Sequence, residues 1–569
     1  MKEVYCFTVF KGFTAEPLLS PNRRITNNVQ HLKDKRTFVP NRTRNWPMTL
    51  RGLPPTLSEP PKPDPICAVV ARSGVDEAIA DLVEAGKRKV CLAEIRLDVL
   101  DTLPDLSRFV LASTVPLLAT VRRKRDGGRW EGAESDRLDL LRQALASGFA
   151  WVDIEEDVVA DFPRIGTEKR IVSFHDFEGV PANLSAIYSQ MAASDADTIK
   201  IACKTSTPSE VATILRLFEN APKPTVAFGM GDVGQASRII QLKLGAPFTY
   251  AAVNADAIVA PGMFTISQLQ LNFGVRRINA STRIFGVVGD PIGHSLSPII
   301  HNNGFRKLSR NDLYVPFTVP RGMFQDFLSS HAFLGIHGLS VTIPHKEEAC
   351  LLATVRSPEV EATGSANTLL LGDDGSLSAS NTDYDAVLDS ILSGLKNHPG
   401  GWTLKGKRAL VLGAGGVARS VVCGLIAHGA EVVLAGRTQS RAEAIAALAP
   451  CNVVPWENRH AHPVDIVVNC TPVGMHPDID KSPLDVEFIV PGMVVMDTIY
   501  NPENTLLIRQ AREKGAVATT GLDMFIGQAA AQFKLFTGEP APADLMRQVA
   551  RNALAVRPAR PGVTGQPAR

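Results

Sequence analysis

The sequence lacks the features that would place it in a specialised class of protein. Its 569 residues contain no uninterrupted apolar run of about 18 residues, so no helix is expected to span a membrane. The 60 Lys and Arg residues are balanced by 58 Asp and Glu residues, which argues against a dedicated nucleic-acid binder. The eight cysteines include no Cys-x-x-Cys pair, so we expect neither a disulfide framework nor a zinc site, and a reducing cytoplasmic location fits them.

What is present is the composition of a globular protein, with 45% hydrophobic and 21% charged residues. At about 100–200 residues per domain, the length predicts two or three domains. Residues 1–63 are basic, rich in proline and without hydrophobic periodicity, so they predict a disordered arm. As an alternative, this arm is a transit peptide that directs the protein to a plastid. Residues 556–569 predict a similar disordered tail.

Residues 64–280 alternate short apolar segments with helical ones. The segments with strand character are ICAVVA, KVCLAEIRLD, PLLATVR, FAWVDIEE, RIVSFHD, DTIKIAC, PTVAFGM and PFTYAAV. Strands in this number, each followed by a helix or a long loop, are typical of a closed (β/α)8 barrel of the α/β class. An open, doubly wound sheet is the alternative for this region.

Several of these strands place charged residues on one face. Successive strand residues point to opposite faces, and in a barrel one face lines the lumen. Apolar residues such as Ile95 and Ile199 would face the helices. The residues then predicted to face the lumen are Glu94, Arg96, Asp98, Thr120, Arg122, Asp153, Glu155, His175 and Lys200. Because buried charges are costly, this set predicts the mouth of a polar pocket, with a structural ion-pair network as the alternative.

Lys200 has the most distinctive chemistry of this set. Neighbouring arginines and burial favour a neutral amine, which is the form that attacks a carbonyl group to give an imine. His175 on a neighbouring strand would move protons beside the imine carbon, and the arginines would bind an anionic substrate. The pattern therefore predicts imine chemistry on a small carboxylated ketone.

Six ordered motifs in this region resemble the type I 3-dehydroquinate dehydratases: EIRLD, ATVR followed by DGG, SFHDF, DTIKIAC, GQASRI and APG. The resemblance implies that Lys200 is a Schiff-base lysine and His175 a general acid/base. The substrate contacts that it implies are Glu94, Arg96, Arg122, Asp126 and Arg238. Asp126 takes the place of a more usual Glu, and Met263 stands where the family commonly has Gln. A thioether cannot replace the two hydrogen-bond donors of an amide.

Two further domains are predicted at residues 281–400 and 401–555. In the first, Ser297 is predicted as the N-cap of an apolar helix, with Pro298 as the first helical residue. Together with Ser295, it would present hydroxyl groups at the positive end of a helix, where an anion can bind. Ordinary helix capping is the alternative for Ser297.

Lys346 and Asp383 also lie at predicted helix starts, in the motifs VTIPHKEEA and ASNTDYDAV. Capping is again the alternative to a functional role for Asp383. The residue types alone do not decide between the two interpretations.

A glycine-rich turn predicts a dinucleotide site in the last domain. In LVLGAGGVA, Gly413-x-Gly415-x-x-Ala418 leaves a strand and opens a helix, as in the Rossmann phosphate turn. The next strand ends in Arg437 and Thr438 instead of an acidic residue. Because arginine pairs with a 2′-phosphate, NADP(H) is favoured over NAD(H), with a surface arginine as the alternative. The predicted cofactor-binding residues are Gly413, Gly415, Gly416, Ala418, Arg437, Thr438, Arg441 and Gly521.

Nine ordered motifs from about residue 284 to 555 resemble shikimate dehydrogenase: HSLSP, VTIPHK, SANTL, SNTD, GAGGVA, GRT, NCTPVGM, DTIYNP and GLDMFIGQAA. The resemblance implies Lys346 and Asp383 as the catalytic pair. The substrate contacts that it implies are Ser295, Ser297, Thr342, Asn367, Asp383, Tyr500 and Gln528. Ser340, where Asn is frequent, and Tyr384, where Gly is frequent, resemble the fused dehydratase–dehydrogenases of the plant type, and this match spans nearly the whole folded chain.

The two halves together predict a bifunctional enzyme of aromatic amino-acid precursor synthesis. The first half would dehydrate 3-dehydroquinate to 3-dehydroshikimate, and the second would reduce that product to shikimate with NADPH. Small molecules are the expected partners, with no metal, nucleic acid or membrane. The alternatives are a quinate/shikimate dehydrogenase that prefers NAD and a non-catalytic metabolite-sensing regulator. A regulator is expected to lose its reactive groups, whereas Lys200, His175, Lys346 and Asp383 are all present.

Overall fold

The computed structural model describes residues 62–396, 398 and 403–556. The predicted arm lies outside this range except for its last two residues, and the predicted tail lies outside it after residue 556. The predicted boundary near residue 400 also falls outside the described residues. In the described ranges no helix is both long enough and apolar enough to cross a bilayer.

The first sheet has eight parallel strands in the order β7-β6-β5-β4-β3-β2-β1-β8. The strands are β1 (Asp64–Val70), β2 (Val90–Arg96), β3 (Leu117–Thr120), β4 (Trp151–Glu155), β5 (Lys169–Asp176), β6 (Thr198–Lys204), β7 (Thr225–Met230) and β8 (Thr249–Ala252). The helices between them are α1 (Val75–Lys87), α2 (Ser107–Ala112), α3 (Glu134–Ala146), α4 (Leu184–Ala193), α5 (Pro208–Leu215) and α6 (Ser237–Lys243). Each of the eight predicted strands is present, and this order is that of a barrel instead of a doubly wound sheet.

The barrel is nearly closed, with its seam between β7 and β8. Within the described residues no ladder of hydrogen bonds joins these two strands. Aromatic side chains fill the seam instead, since the rings of Phe228 and Tyr250 lie 6.4 Å apart. Strand β8 has only four residues, which limits the length of ladder that it can form.

The predicted alternation of strand faces is confirmed. Ile95, Ile199 and Ile201 belong to the hydrophobic cluster between strands and helices. Val69 and Tyr250 belong to a separate cluster within the lumen. The side chains of the opposite parity, Lys200 among them, therefore point into the lumen.

A mixed sheet follows, here called the middle lobe, with strand order β10-β9-β11-β13-β14-β12. Its strands are β9 (Arg283–Gly289), β10 (Asp312–Thr318), β11 (Ile336–Val341), β12 (Val355–Arg356), β13 (Thr368–Leu371) and β14 (Leu377–Ser380). Its helices are α7 (Ser297–Lys307), α8 (Phe324–Ser330), α9 (Lys346–Leu352), α10 (Pro358–Thr363) and α11 (Thr382–Lys396). The hydrophobic cluster outside the barrel strands continues into this lobe through residues such as Phe317 and Phe327.

The C-terminal lobe is a parallel sheet in the order β17-β16-β15-β18-β19-β20, the order of a Rossmann fold. Its strands are β15 (Arg408–Leu412), β16 (Glu431–Gly436), β17 (Asn452–Pro455), β18 (Ile466–Asn469), β19 (Val494–Asp497) and β20 (Val517–Thr519). Its helices are α12 (Gly416–Ala427), α13 (Gln439–Leu448), α14 (Leu506–Glu513), α15 (Gly521–Thr537) and α16 (Ala543–Val556). Helix α15 returns to the middle lobe, where Phe533 packs on Phe305 with ring centroids 5.2 Å apart.

Candidate active sites

A cavity of about 100 Å³, here called the barrel cavity, opens inside the first sheet. The predicted site residues that line it are Glu94, Arg96, Arg122, Asp126, His175, Lys200 and Arg238. Glu155 does not line it, in contrast to the prediction, because its carboxylate is held by Arg122 and by Arg137 of α3. The lumen thus contains both a polar pocket and an ion-pair network.

The contacts of Lys200 differ from those predicted. Its Nζ lies 3.0 Å from Asp153 Oδ2 and 3.9 Å from Glu94 Oε1. It also lies 4.3 Å from the centre of the Tyr250 ring. The amine is therefore surrounded by two carboxylates and an aromatic face, and the neutral form expected from neighbouring arginines stays a prediction.

Asp153 lies at the centre of the network. Its carboxylate accepts hydrogen bonds from Lys200 and from Ser173, and it pairs with Arg122 at 2.8 Å. Burial alone would raise the pKa of Asp153, but the positive charges of Arg122 and Lys200 outweigh burial and hold this pKa below its usual value. Asp153 is therefore an anion that fixes the position of the Lys200 amine.

His175 is a neutral imidazole beside these cations. Burial, followed by the charges of Arg122 and Lys200, lowers its pKa well below 6.5. Its Nδ1 has no hydrogen-bond partner within the described residues. The ring is therefore able to accept a proton from a molecule bound in the barrel cavity.

Arg238 is a buried cation that forms no ion pair within the described part of the chain. Its guanidinium stacks 4.2 Å over the Phe228 ring, and burial lowers its pKa to about 9. An anion in the barrel cavity would supply the missing countercharge. Asp126 also lines the cavity, but its carboxylate already accepts a hydrogen bond from Arg123. Met263 lies in the apolar part of the lining, with 9% of its surface exposed.

A second cavity of about 320 Å³, the cleft cavity, lies between the middle and C-terminal lobes. The predicted residues that line it are Ser295, Ser297, Thr342, Lys346, Asn367, Asp383, Tyr500, Gly521 and Gln528. The first residue of α9 and the second of α11 face each other there, since Lys346 Nζ lies 2.5 Å from Asp383 Oδ2. Asp383 therefore forms an ion pair with Lys346, which plain helix capping would not require.

The helix beside the two serines begins one residue earlier than predicted. Ser297 is the first residue of α7 and Leu296 is its N-cap, so the assignment of Ser297 as N-cap is wrong. The Oγ atom of Ser295 accepts a hydrogen bond from the Ser297 backbone N–H. Proline has no backbone N–H to donate, and the first turn of a helix requires none. Pro298 therefore fits whether it is the first helical residue or the second.

The residues of the glycine-rich turn fit a dinucleotide. Gly413 has φ of +106°, and a Cβ atom there would lie 3.0 Å from the carbonyl oxygen of Cys470. A Cβ atom on Gly415, the N-cap of α12, would meet nothing within 4 Å, so the helix start is open to a phosphate. Arg437, Thr438 and Arg441 are exposed beyond the end of β16.

Family models match both halves of the chain. The model for type I 3-dehydroquinase matches residues 66–279. The models described as shikimate dehydrogenase substrate binding domain, shikimate/quinate 5-dehydrogenase and shikimate 5'-dehydrogenase C-terminal domain match residues 287–369, 396–481 and 521–551. The bifunctional 3-dehydroquinate dehydratase/shikimate dehydrogenase, chloroplastic, of Arabidopsis thaliana is 33% identical over 86% of this chain and 84% of its own length. The chain belongs to this bifunctional family.

Other relatives match the dehydrogenase half alone. Shikimate dehydrogenase (NADP(+)) of Caldanaerobacter subterraneus subsp. tengcongensis is 36% identical over 46% of this chain and 94% of its own length. The crystal structure of shikimate 5-dehydrogenase from Thermus thermophilus in complex with NADP(H) and shikimate is 35% identical, with a TM-score of 0.43. That match covers 48% of this chain and 99% of the solved one.

Sequence reasoning missed several residues at the two sites. Tyr250 and Asp153 contact Lys200 from other strands, although Asp153 was expected in the lumen. Gln532 and Ser340 line the cleft cavity, and the sequence offered Ser340 only as a departure from Asn. Helical spacing offered a signal for Gln532, because it lies four residues after Gln528 and so on the same face of α15. Within the described residues no group of three His, Cys, Asp or Glu side chains is arranged to hold a metal ion.

The lowered pKa of His175 predicts that its ring stays neutral at pH 6.5, where an unperturbed histidine is half protonated. Carbon–proton NMR of histidine-labelled protein, titrated from about pH 8 to about pH 5, measures this directly. His175→Gln identifies the resonance by its disappearance. A midpoint near pH 6.5 for that resonance would contradict the assignment of His175 as a neutral base.

Proposed function

We propose that this chain dehydrates 3-dehydroquinate to 3-dehydroshikimate in its barrel and reduces 3-dehydroshikimate to shikimate with NADPH in its cleft. One observation supports this most strongly. The same chain contains a buried lysine with a neutral histidine and an arginine that has no ion pair among the described residues, and also a lysine–aspartate pair beside a Rossmann turn. The corresponding regions are the dehydratase barrel (64–280), the shikimate-binding lobe (281–400) and the NADP-binding lobe (401–555). The chloroplastic relative supports the alternative of a transit peptide in residues 1–63 over the cytoplasmic location predicted from the sequence.

In the barrel, Lys200 and His175 would carry out the dehydration. The Lys200 Nζ attacks the ketone carbon, and the carbonyl oxygen leaves as water with the two protons of the amine, which gives the imine. His175 removes a proton from the adjacent carbon, and the electron pair moves toward the imine nitrogen. The returning pair expels the β-hydroxyl, which takes a proton from His175 and leaves as water. Hydrolysis of the imine releases the product and restores the Lys200 amine.

The charge of Arg238 suits it to bind the substrate carboxylate, because this buried cation forms no ion pair with a described residue. The remaining polar lining would bind the ring substituents, through Glu94, Arg96, Arg122 and Asp126. Met263 presents a thioether where an amide would donate hydrogen bonds, so this part of the lining packs on the substrate without donating to it.

In the cleft, bound NADPH supplies the hydride. Lys346 and Asp383 would lie beside the substrate ketone that is reduced. There Lys346 donates a proton to the developing hydroxyl, and Asp383 orients the Lys346 amine. The substrate would be held by Ser295, Ser297, Thr342, Asn367, Tyr500 and Gln528. The exposed Arg437, with Thr438 and Arg441, would pair with the 2′-phosphate of the cofactor.

A coupled assay from 3-dehydroquinate tests the proposed function. The wild type should consume NADPH, whereas Lys200→Met and Lys346→Met should each consume none. Lys200→Met should still reduce added 3-dehydroshikimate, and a mixture of the two variants should regain flux because each supplies the site that the other lacks. Loss of both activities in either folded variant would contradict two independent sites, and a wild type without turnover would favour the regulator.

Borohydride trapping tests the imine on Lys200. Sodium borohydride added with 3-dehydroquinate should reduce the imine and leave a covalent adduct on the peptide that contains Lys200. Lys204→Arg, in an exposed residue of the same strand, should still be labelled, whereas Lys200→Arg should not. Absence of an adduct in an active wild type would remove the imine mechanism.

The preference for NADP(H) is tested by the ratio of kcat/KM for NADP⁺ and NAD⁺ in shikimate oxidation. The wild type should favour NADP⁺, and Arg437→Ser should lower kcat/KM for NADP⁺ about tenfold, since one ionic contact of about 1.4 kcal/mol is lost. Arg408→Ser, in an exposed arginine at the opposite end of the sheet, is the matched control. A wild type that prefers quinate with NAD⁺ would support the quinate/shikimate dehydrogenase alternative.

A further inference from the structure

A row of buried hydrogen bonds runs beneath the cleft cavity. The Tyr314 hydroxyl lies 2.6 Å from Ser340 Oγ, which lies 2.7 Å from Gln532 Oε1. The Gln532 Nε2 atom lies 3.0 Å from the backbone oxygen of Asn367 and 3.0 Å from Thr368 Oγ1. These side chains come from β10, β11, β13 and α15, and each is at most 6% exposed.

The backbone carbonyl of Asn367, which can only accept, fixes the direction of the hydrogen bonds from Tyr314 to Gln532. A backbone carbonyl accepts, so the amide of Gln532 must turn its Nε2 toward Asn367 and its Oε1 toward Ser340. Ser340 must then donate to Gln532, and Tyr314 must donate to Ser340. Burial raises the pKa of Tyr314, so its phenol keeps the proton that it donates.

The other end of the row orients the side chain of Asn367. Thr368 Oγ1 accepts from Gln532 and donates to Asn367 Oδ1 at 2.8 Å. The backbone N–H of Thr382 also donates to Asn367 Oδ1 at 2.8 Å. The Nδ2 atom of Asn367 donates one N–H to Thr382 Oγ1 at 3.0 Å, an atom that also lies 3.2 Å from Oδ1, and its second N–H has no acceptor among the described residues.

We propose that Tyr314 and Thr368 are positioning residues of the reductase, which act through Ser340 and Gln532 to hold the amide of Asn367 as a donor toward a substrate hydroxyl. Neither residue lines the cleft cavity, whereas Asn367, Ser340 and Gln532 do. Rotation of the Asn367 amide would present an acceptor in place of a donor and leave buried groups without partners. This inference rests on the proposed reduction of 3-dehydroshikimate in the cleft.

Thr368→Val is the direct test, because it removes the hydroxyl and keeps the shape of the side chain. KM for shikimate should rise about tenfold with kcat nearly unchanged, since the lost contact acts in substrate binding. KM for NADP⁺ and the dehydratase activity of the same protein should stay at wild-type values. Thr368→Ser, which restores the hydroxyl, should return KM for shikimate to the wild-type value.

Thr318→Val, in the same strand as Tyr314 and outside this row of hydrogen bonds, is the matched control. An unchanged KM for shikimate in Thr368→Val, or an equal rise in KM for NADP⁺, would overturn the proposal. If Thr368→Val lost its fold, Tyr314→Phe would replace it, with a smaller rise expected because Ser340 can still donate to Gln532. A wild type that does not oxidise shikimate would instead refute the proposed function.

Discussion

The interior of the barrel depends electrostatically on Asp153. A buried cation is costly unless a countercharge and hydrogen bonds replace its lost hydration. Asp153 supplies this for both Lys200 and Arg122, and Ser173 completes its hydrogen bonding. The arrangement fixes the position of the lysine amine in the lumen, where Lys200 lines the barrel cavity. Arg238 has no such partner among the described residues. Arg122 is therefore a structural cation, whereas Arg238 is available to pair with a ligand.

Strand parity allowed much of the barrel to be predicted from sequence. The alternation in TIKIA placed Lys200 inward and its isoleucines outward, because the period of two is a local property of the strand. The contacts of Lys200 depend on which strands are neighbours, and sequence spacing does not contain that information. Asp153 comes from β4 and Tyr250 from β8, which lie 47 and 50 residues away in the chain.

The cleft shows the same division between local and distant information. The resemblance to shikimate dehydrogenase implied Lys346 and Asp383 as a pair, and the structure brings them together. The one-residue error at Ser297 reflects how weakly local sequence defines a helix boundary. Tyr314 and Thr368 could not have been singled out, because Thr368 bonds Gln532 of α15 from 164 residues away and Tyr314 reaches the same glutamine only through Ser340.

Helix α15 has a consequence for how the protein is made. The end of the barrel domain is bonded to its beginning, since Arg276 and Gln270 both donate hydrogen bonds to Asp64 of the first strand. All eight strands of the barrel and both of these side chains are therefore synthesised before residue 280. The cleft cavity still lacks the wall formed by Gly521, Phe525 and Gln528 until almost the whole polypeptide has been synthesised. A nascent chain would thus acquire its lyase before its oxidoreductase, in the order in which the metabolite passes through them.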